Sequence, residues 1–77
     1  MAVREHDRVV LKKDLPASGL VAGDVGTVVH IYRGQKAVEV EFLALNGETI
    51  ALEPLPASKV RKVARREITH ARVVAAG

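Results

Sequence analysis

Val, Ile, Thr and a few aromatic residues recur along the chain in short runs, each bounded by Gly, Pro, Asn or a charged pair. Such runs between turn-forming residues predict an all-β protein. The clearest is AVEVEFL, residues 37–43. There Val38, Val40 and Phe42 fall on one face, and Glu39 and Glu41 on the other, so one side is expected to be buried and one to face water. A first strand is expected over Asp7 to Leu11 and a second over Asp24 to Tyr32. In the second, Val25, Thr27, Val29 and Ile31 alternate with Gly26, Val28, His30 and Tyr32, and neither row is strongly polar. A strand apolar on both sides is expected to bend or carry a bulge. Gly23 is expected to make the preceding turn, and Gly26 to leave room for a neighbouring backbone.

The connections carry their own signals. KKDLPASGLVAG, between the first two strands, is long and contains Pro16, which cannot donate to a ladder. Loops of this length often lie at binding faces. Arg33 to Lys36, with Gly34 as its turn glycine, reads as a hairpin loop. Asn46-Gly47 marks a second hairpin. A two-residue loop there would set Glu41 opposite Leu52. A three-residue loop, Leu45 to Gly47, would pair Phe42 with Ile50 and Val40 with Leu52. Because side chains alternate with a period of two, the second register is the one expected to bury both apolar rows, with Gly47 left-handed. A fourth strand is expected over Glu48 to Glu53, one tight helical turn over Pro56 to Lys59, and a short fifth strand over Val60 to Val63. The segment from Ala64 is ambiguous. Val60, Val63, Ala64, Ile68, Ala71 and Val74 approach helical spacing, yet EITHARVV is rich in β-branched residues. The latter favours an extra strand or an extended arm over a short helix.

Five short strands, a long first loop, a bent second strand and a helical turn before the last strand predict a small SH3-like barrel. It is expected over residues 1–63, with a basic C-terminal arm over 64–77. Within it, GLVAGDVGTVVHIY followed by AVEVEF resembles the KOW motif of ribosomal and transcription-elongation proteins, through Gly23, Gly26, Val28, Val40 and Glu41. A closer likeness spans residues 7–63. The Asp-x-Val-Val-Leu string, the DLP…GL…GDVGTVV core, VEVEF, the following Asn-Gly-Glu-Thr and LPAS are together similar to the short bacterial proteins grouped as domain of unknown function 4926. That resemblance implies no established activity, and its pattern does not include the segment from Ala64.

Charge sharpens the picture more than overall composition does. Of the 77 residues, 1–58 carry six Lys/Arg and eight Asp/Glu, a balance of −2, whereas 59–77 carry six Lys/Arg and one acid, a balance of +5. A neutral-to-acidic body thus ends in a basic segment. A chain this short buries about 60–65% of its unfolded surface, enough for one core and little more. Without cysteine there is no disulfide and no thiolate chemistry. The N-terminal MAVREHDRVVLKKD lacks the apolar stretch of a signal peptide or membrane span, and a cytoplasmic location is expected.

Chemistry on side chains finds little support. The hydroxyls of Ser18, Ser58, Thr27, Thr49 and Thr69 stand in no recognisable spacing with His6, His30 or His70. No paired-histidine spacing suggests a metal. No catalytic activity, cofactor, metal or small-molecule substrate is expected. Two binding classes remain. Arg33, Lys36, Lys59, Arg61, Lys62, Arg65, Arg66 and Arg72 are candidate contacts for nucleic acid or an acidic partner, through phosphate neutralisation. Against nucleic acid, Tyr32 and Phe42 are the only aromatics for stacking, and Glu39 and Glu41 would repel phosphate. A protein-interaction or adaptor role is the favoured reading, with another protein or a second copy as partner. In it the basic arm meets the Glu39/Glu41 row, within one chain or between two. A partner role of the antitoxin or immunity kind is a further alternative.

Overall fold

The computed structural model describes residues 3–74. Five antiparallel strands form one sheet: β1 (Arg8–Leu11), β2 (Val25–Ile31), β3 (Ala37–Leu43), β4 (Thr49–Pro56) and β5 (Val60–Lys62). The order across the sheet is β4-β3-β2-β1-β5, so the last strand returns beside the first. That is the order an SH3-like barrel requires, although the ladder itself runs from an edge at β4 to an edge at β5. Among the described residues the remaining regular pieces are 3-10 turns at Pro16–Ser18, Arg33–Gln35 and Ala57–Lys59, and no helix is long and apolar enough to cross a membrane.

One core organises the sheet. Val9 and Leu11 of β1, Val28 of β2, Val38, Val40 and Phe42 of β3, Leu55 of β4 and Val60 of β5 are buried in a single cluster, which also holds Leu20 from the first loop. Strands at both edges reach the same cluster, so the sheet curves around it. Each such Val or Leu contributes about 1.5–3 kcal/mol relative to staying exposed, and among the described residues no polar or charged one is buried.

The bent second strand is a bulge. Thr27 and Val28 pair with Glu41 and Val40, whereas His30 and Ile31 pair with Glu39 and Val38, so Val29 is the extra residue. Before it, Gly26 and Val28 face the core; after it, Ile31 takes that side and packs against the cluster. The two apolar rows read from the sequence are therefore one core face, switched in phase at Val29. Gly26 makes the close approach expected of it. A Cβ there would lie 2.5 Å from Val40 Cγ1 and 3.0 Å from the Glu41 carbonyl oxygen.

The β3–β4 hairpin corrects the expected register. The loop does have three residues, with Ala44 N–H donating to the Glu48 carbonyl, and Gly47 is left-handed at φ 94°. Past Leu43↔Thr49, however, a bulge shifts the ladder, and the pairs become Phe42↔Ala51, Glu41↔Leu52 and Val40↔Glu53. The extra residue is Ile50, which packs against the core. The shift sets buried Leu55 opposite buried Val38 and leaves Leu52 half exposed. Burial of Leu55 thus outweighs that of Leu52, which the alternation of apolar residues alone had favoured. β4 also continues past the predicted Glu53, through Pro54, to Pro56. Ala57 N–H donates to the Lys36 carbonyl. By the two-residue repeat, Leu55 and Glu53 also turn their amides toward β3, and Pro54 and Pro56 occupy positions that face the open edge, where a missing N–H costs nothing.

Candidate functional site

The loop between β1 and β2 is cross-linked to itself. Pro16 starts its 3-10 turn, and Gly19 ends it in the left-handed region. Leu15 and Leu20 exchange two backbone hydrogen bonds, of 2.9 and 3.2 Å. The Ala22 amide donates to Asp14 Oδ1, and the Val21 amide to Asp24 Oδ2, both at 2.9 Å. Leu20 anchors the loop by inserting into the core, and the Ser18 hydroxyl donates a hydrogen bond to Glu53 of β4. A loop held at so many points presents its carbonyls and carboxylates in a fixed arrangement.

The basic arm folds back onto this loop. After β5, Ala64 and Glu67 close a turn: the Ala64 amide donates to Glu67 Oε1 at 2.7 Å, and Arg61 donates through both terminal nitrogens to the Glu67 carboxylate at 2.7 and 2.6 Å. The Arg61 fork, then the Ala64 amide, hold the Glu67 carboxyl down to about 2, from an ordinary 4.5. Beyond the turn, residues 67–74 form no regular element. Arg72 reaches Asp24: Nε donates to Oδ1 at 2.8 Å and Nη2 to Oδ2 at 2.5 Å, while Nη2 also donates to the Gly19 carbonyl at 3.1 Å. Partial burial works against the charged form of Asp24, but the Arg72 hydrogen bonds and the Val21 amide outweigh it and keep its pKa below the usual value. The same pairing raises the pKa of Arg72.

Together the loop, the β3–β4 hairpin and the arm enclose a cleft of about 420 Å³. Leu20 and Val25 form its loop side, Phe42, Leu45 and Ile50 its hairpin side, and Thr69 to Val74 its outer wall. Leu45 at the hairpin tip is 89% exposed, and Val73 of the arm 93%. The cleft is thus more apolar than polar, with the buttressed Asp24 carboxylate at its loop side and Glu48 on its hairpin side.

The candidate contacts named from sequence are dispersed. Arg33 and Lys36 lie in the β2–β3 loop, Lys59 in the last 3-10 turn, and Arg65 and Arg66 at the tip of the Ala64–Glu67 turn. Among the described residues, three of the eight form ion pairs: Arg61 with Glu67, Lys62 with Asp7 at 3.6 Å, and Arg72 with Asp24. Within the chain, the described part of the arm does not meet the Glu39/Glu41 row. Tyr32 O–H donates to Glu39 at 3.1 Å and Thr49 to Glu41 at 3.0 Å, and the arm's arginine goes to Asp24 instead. Of the four glycines named from sequence, Gly23, Gly34 and Gly47 stand at positive φ in connections, whereas Gly26 lies inside β2, not in a turn. Asp24 and Gly19, the acceptors of the Arg72 fork, were not among the candidate contacts. The one signal for Asp24 was its place between two glycines at the end of a long loop. Among the described residues no group of three or more His, Asp or Glu gathers to hold a metal ion. His30 packs edge-on against Tyr32, with ring centroids 4.7 Å apart.

A family model for a domain of unknown function, number 4926, matches residues 5–62. The chain belongs to that family. The match takes in all five strands, the β1–β2 loop and the β3–β4 hairpin, and it ends where the arm begins. Curated proteins and solved structures give no match to the chain. In this member of the 4926 family, two walls of the cleft therefore come from the family domain and the third from a segment beyond it.

Proposed function

We propose that this 4926-family protein is a non-catalytic protein-interaction module, whose binding surface is the cleft between the β1–β2 loop and the β3–β4 hairpin. The observation that carries this reading is the combination found there: apolar walls, an exposed Leu45 at the rim, and a fixed acidic acceptor at the loop side. Interfaces are anchored by apolar side chains in such recesses, with a few placed polar groups for orientation. The engagement of Arg61, Lys62 and Arg72 in internal ion pairs also favours protein over phosphate as partner. Nucleic-acid binding is the second reading. It rests on Arg65 and Arg66, which are exposed at the turn tip and make no ion pair among the described residues.

Affinity capture from native lysate separates the two. The full chain and its Leu45→Glu variant serve as baits, each with and without nuclease. A stoichiometric protein partner that survives nuclease and is lost with Leu45→Glu is the expected result. Recovery of nucleic acid alone, abolished by replacing Arg65 and Arg66 with Glu, would overturn it in favour of the second reading.

A further inference from the structure

The Arg72 contact has the form of a ligand in a receptor. Its acceptors, Asp24 and the Gly19 carbonyl, are positioned by bonds internal to the loop: the Val21 amide orients the Asp24 carboxylate, and the Leu15–Leu20 pair with left-handed Gly19 fixes the turn. None of these bonds involves the arm, so the site is organised whether or not Arg72 fills it. A planar guanidinium matches it with a two-pronged contact to the carboxylate and a third bond to the carbonyl. Lysine, a point charge whose three N–H donors share one nitrogen, cannot reproduce that planar fork. The acceptors lie inside the matched family domain and the donor outside it.

The arm fills this receptor only in part. Arg72 takes the acidic end, but Val73 next to it stays 93% exposed, and the cleft of about 420 Å³ that it lines remains open. We propose that the cleft is a receptor for an arginine displayed on an extended segment of a partner protein, with apolar side chains next to that arginine entering toward Leu45 and Ile50. The chain's own Arg72 is a placeholder that such a segment displaces. This assignment rests on the protein-interaction reading above and names the partner's chemistry. Tethering gives the arm a high effective concentration, so a partner must gain from the apolar space that the arm leaves empty.

The test uses a fluorescent octapeptide copying residues 67–74, EITHARVV, titrated against the full chain by polarisation. Arg72→Ala and Arg72→Lys both remove the fork and should bind the peptide at least tenfold more tightly than the unaltered chain. Combining Arg72→Ala with Asp24→Asn should abolish that gain, and so should placing alanine at the peptide's arginine. Circular dichroism and thermal melting establish that each variant is folded. Equal affinity for the unaltered chain and both Arg72 variants, or a gain that survives Asp24→Asn, overturns the proposal. Its failure is distinct from failure of the broader reading. A nuclease-resistant protein partner whose capture depends on Leu45 but not on Asp24 would sink the arginine receptor and leave the interaction module standing. Recovery of nucleic acid alone would remove the module itself.

Discussion

Val9, Val28 and Val40 of the sheet have lost all solvent exposure, while Ile68 and Val73 of the arm keep more than nine-tenths of theirs. The two regions share one chain and similar β-branched residues, yet they are held in place differently. In the sheet, apolar side chains meet across strands and exclude water, and the backbone follows. In the arm, two charged forks, Arg61 to Glu67 and Arg72 to Asp24, pin a segment in which Ile68 and Val73 stay in water. β-branched composition therefore does not by itself make a strand. It does so where a partner strand and a core are within reach, and the arm after β5 has neither.

Perturbing each region in turn breaks or sharpens that contrast. The largest effect is expected from Leu11→Ala. Leu11 is 1% exposed in the core cluster, and its truncation should lower global stability by about 2–5 kcal/mol, read as a shift in the urea midpoint. Gly26→Ala comes next. The added Cβ collides with the β3 backbone at Glu41 as well as the Val40 side chain, and the overpacking should cost about 1–3 kcal/mol. A midpoint unmoved by either substitution would mean that burial does not govern the sheet.

Acidification acts on the arm. Glu67 and Asp24 both have carboxyls held below their ordinary values, so their contribution to docking is full above about pH 4.5. It is lost as pH falls, through about 2 in the case of Glu67. Fast backbone motion of residues 64–74, measured by NMR relaxation, should stay constant from pH 7 to pH 5 and rise below that range, ahead of any loss of the sheet. The smallest effect on stability belongs to Arg72→Ala at neutral pH. It should leave the urea midpoint almost unchanged while residues 68–74 gain motion, because a partly exposed ion pair at the surface contributes little to global folding. Should Arg72→Ala destabilise the whole domain, the arm would belong to the folding unit and the contrast would fail.

The sequence revealed these regions unequally, for the same physical reason. Period-two alternation reports burial, so AVEVEFL placed Val38, Val40 and Phe42 in the core, and the close-packed glycine at position 26 was recognisable in its run. What alternation cannot report is a residue that steps out of phase. Val29 and Ile50 are both bulges, and each displaced an expectation: Val29 merged two apparent faces into one, and Ile50 shifted the hairpin register past a correctly anticipated loop. The site was harder to read. Its basic half stood out as charge, but nothing local links Arg72 to Asp24, 48 positions away, and the acceptor loop looks like any Gly- and Pro-containing connection until its hydrogen bonds are traced.

Pro54 and Pro56 bear on how these molecules meet one another. A sheet that ends in an eight-residue strand would ordinarily offer a template on which copies could stack edge to edge into ribbons. Here the outward-facing positions of that strand include two that have no hydrogen to give. A neighbour arriving along β4 would find its own carbonyls left without donors. Growth of a continuous cross-molecular ladder is therefore disfavoured along that edge.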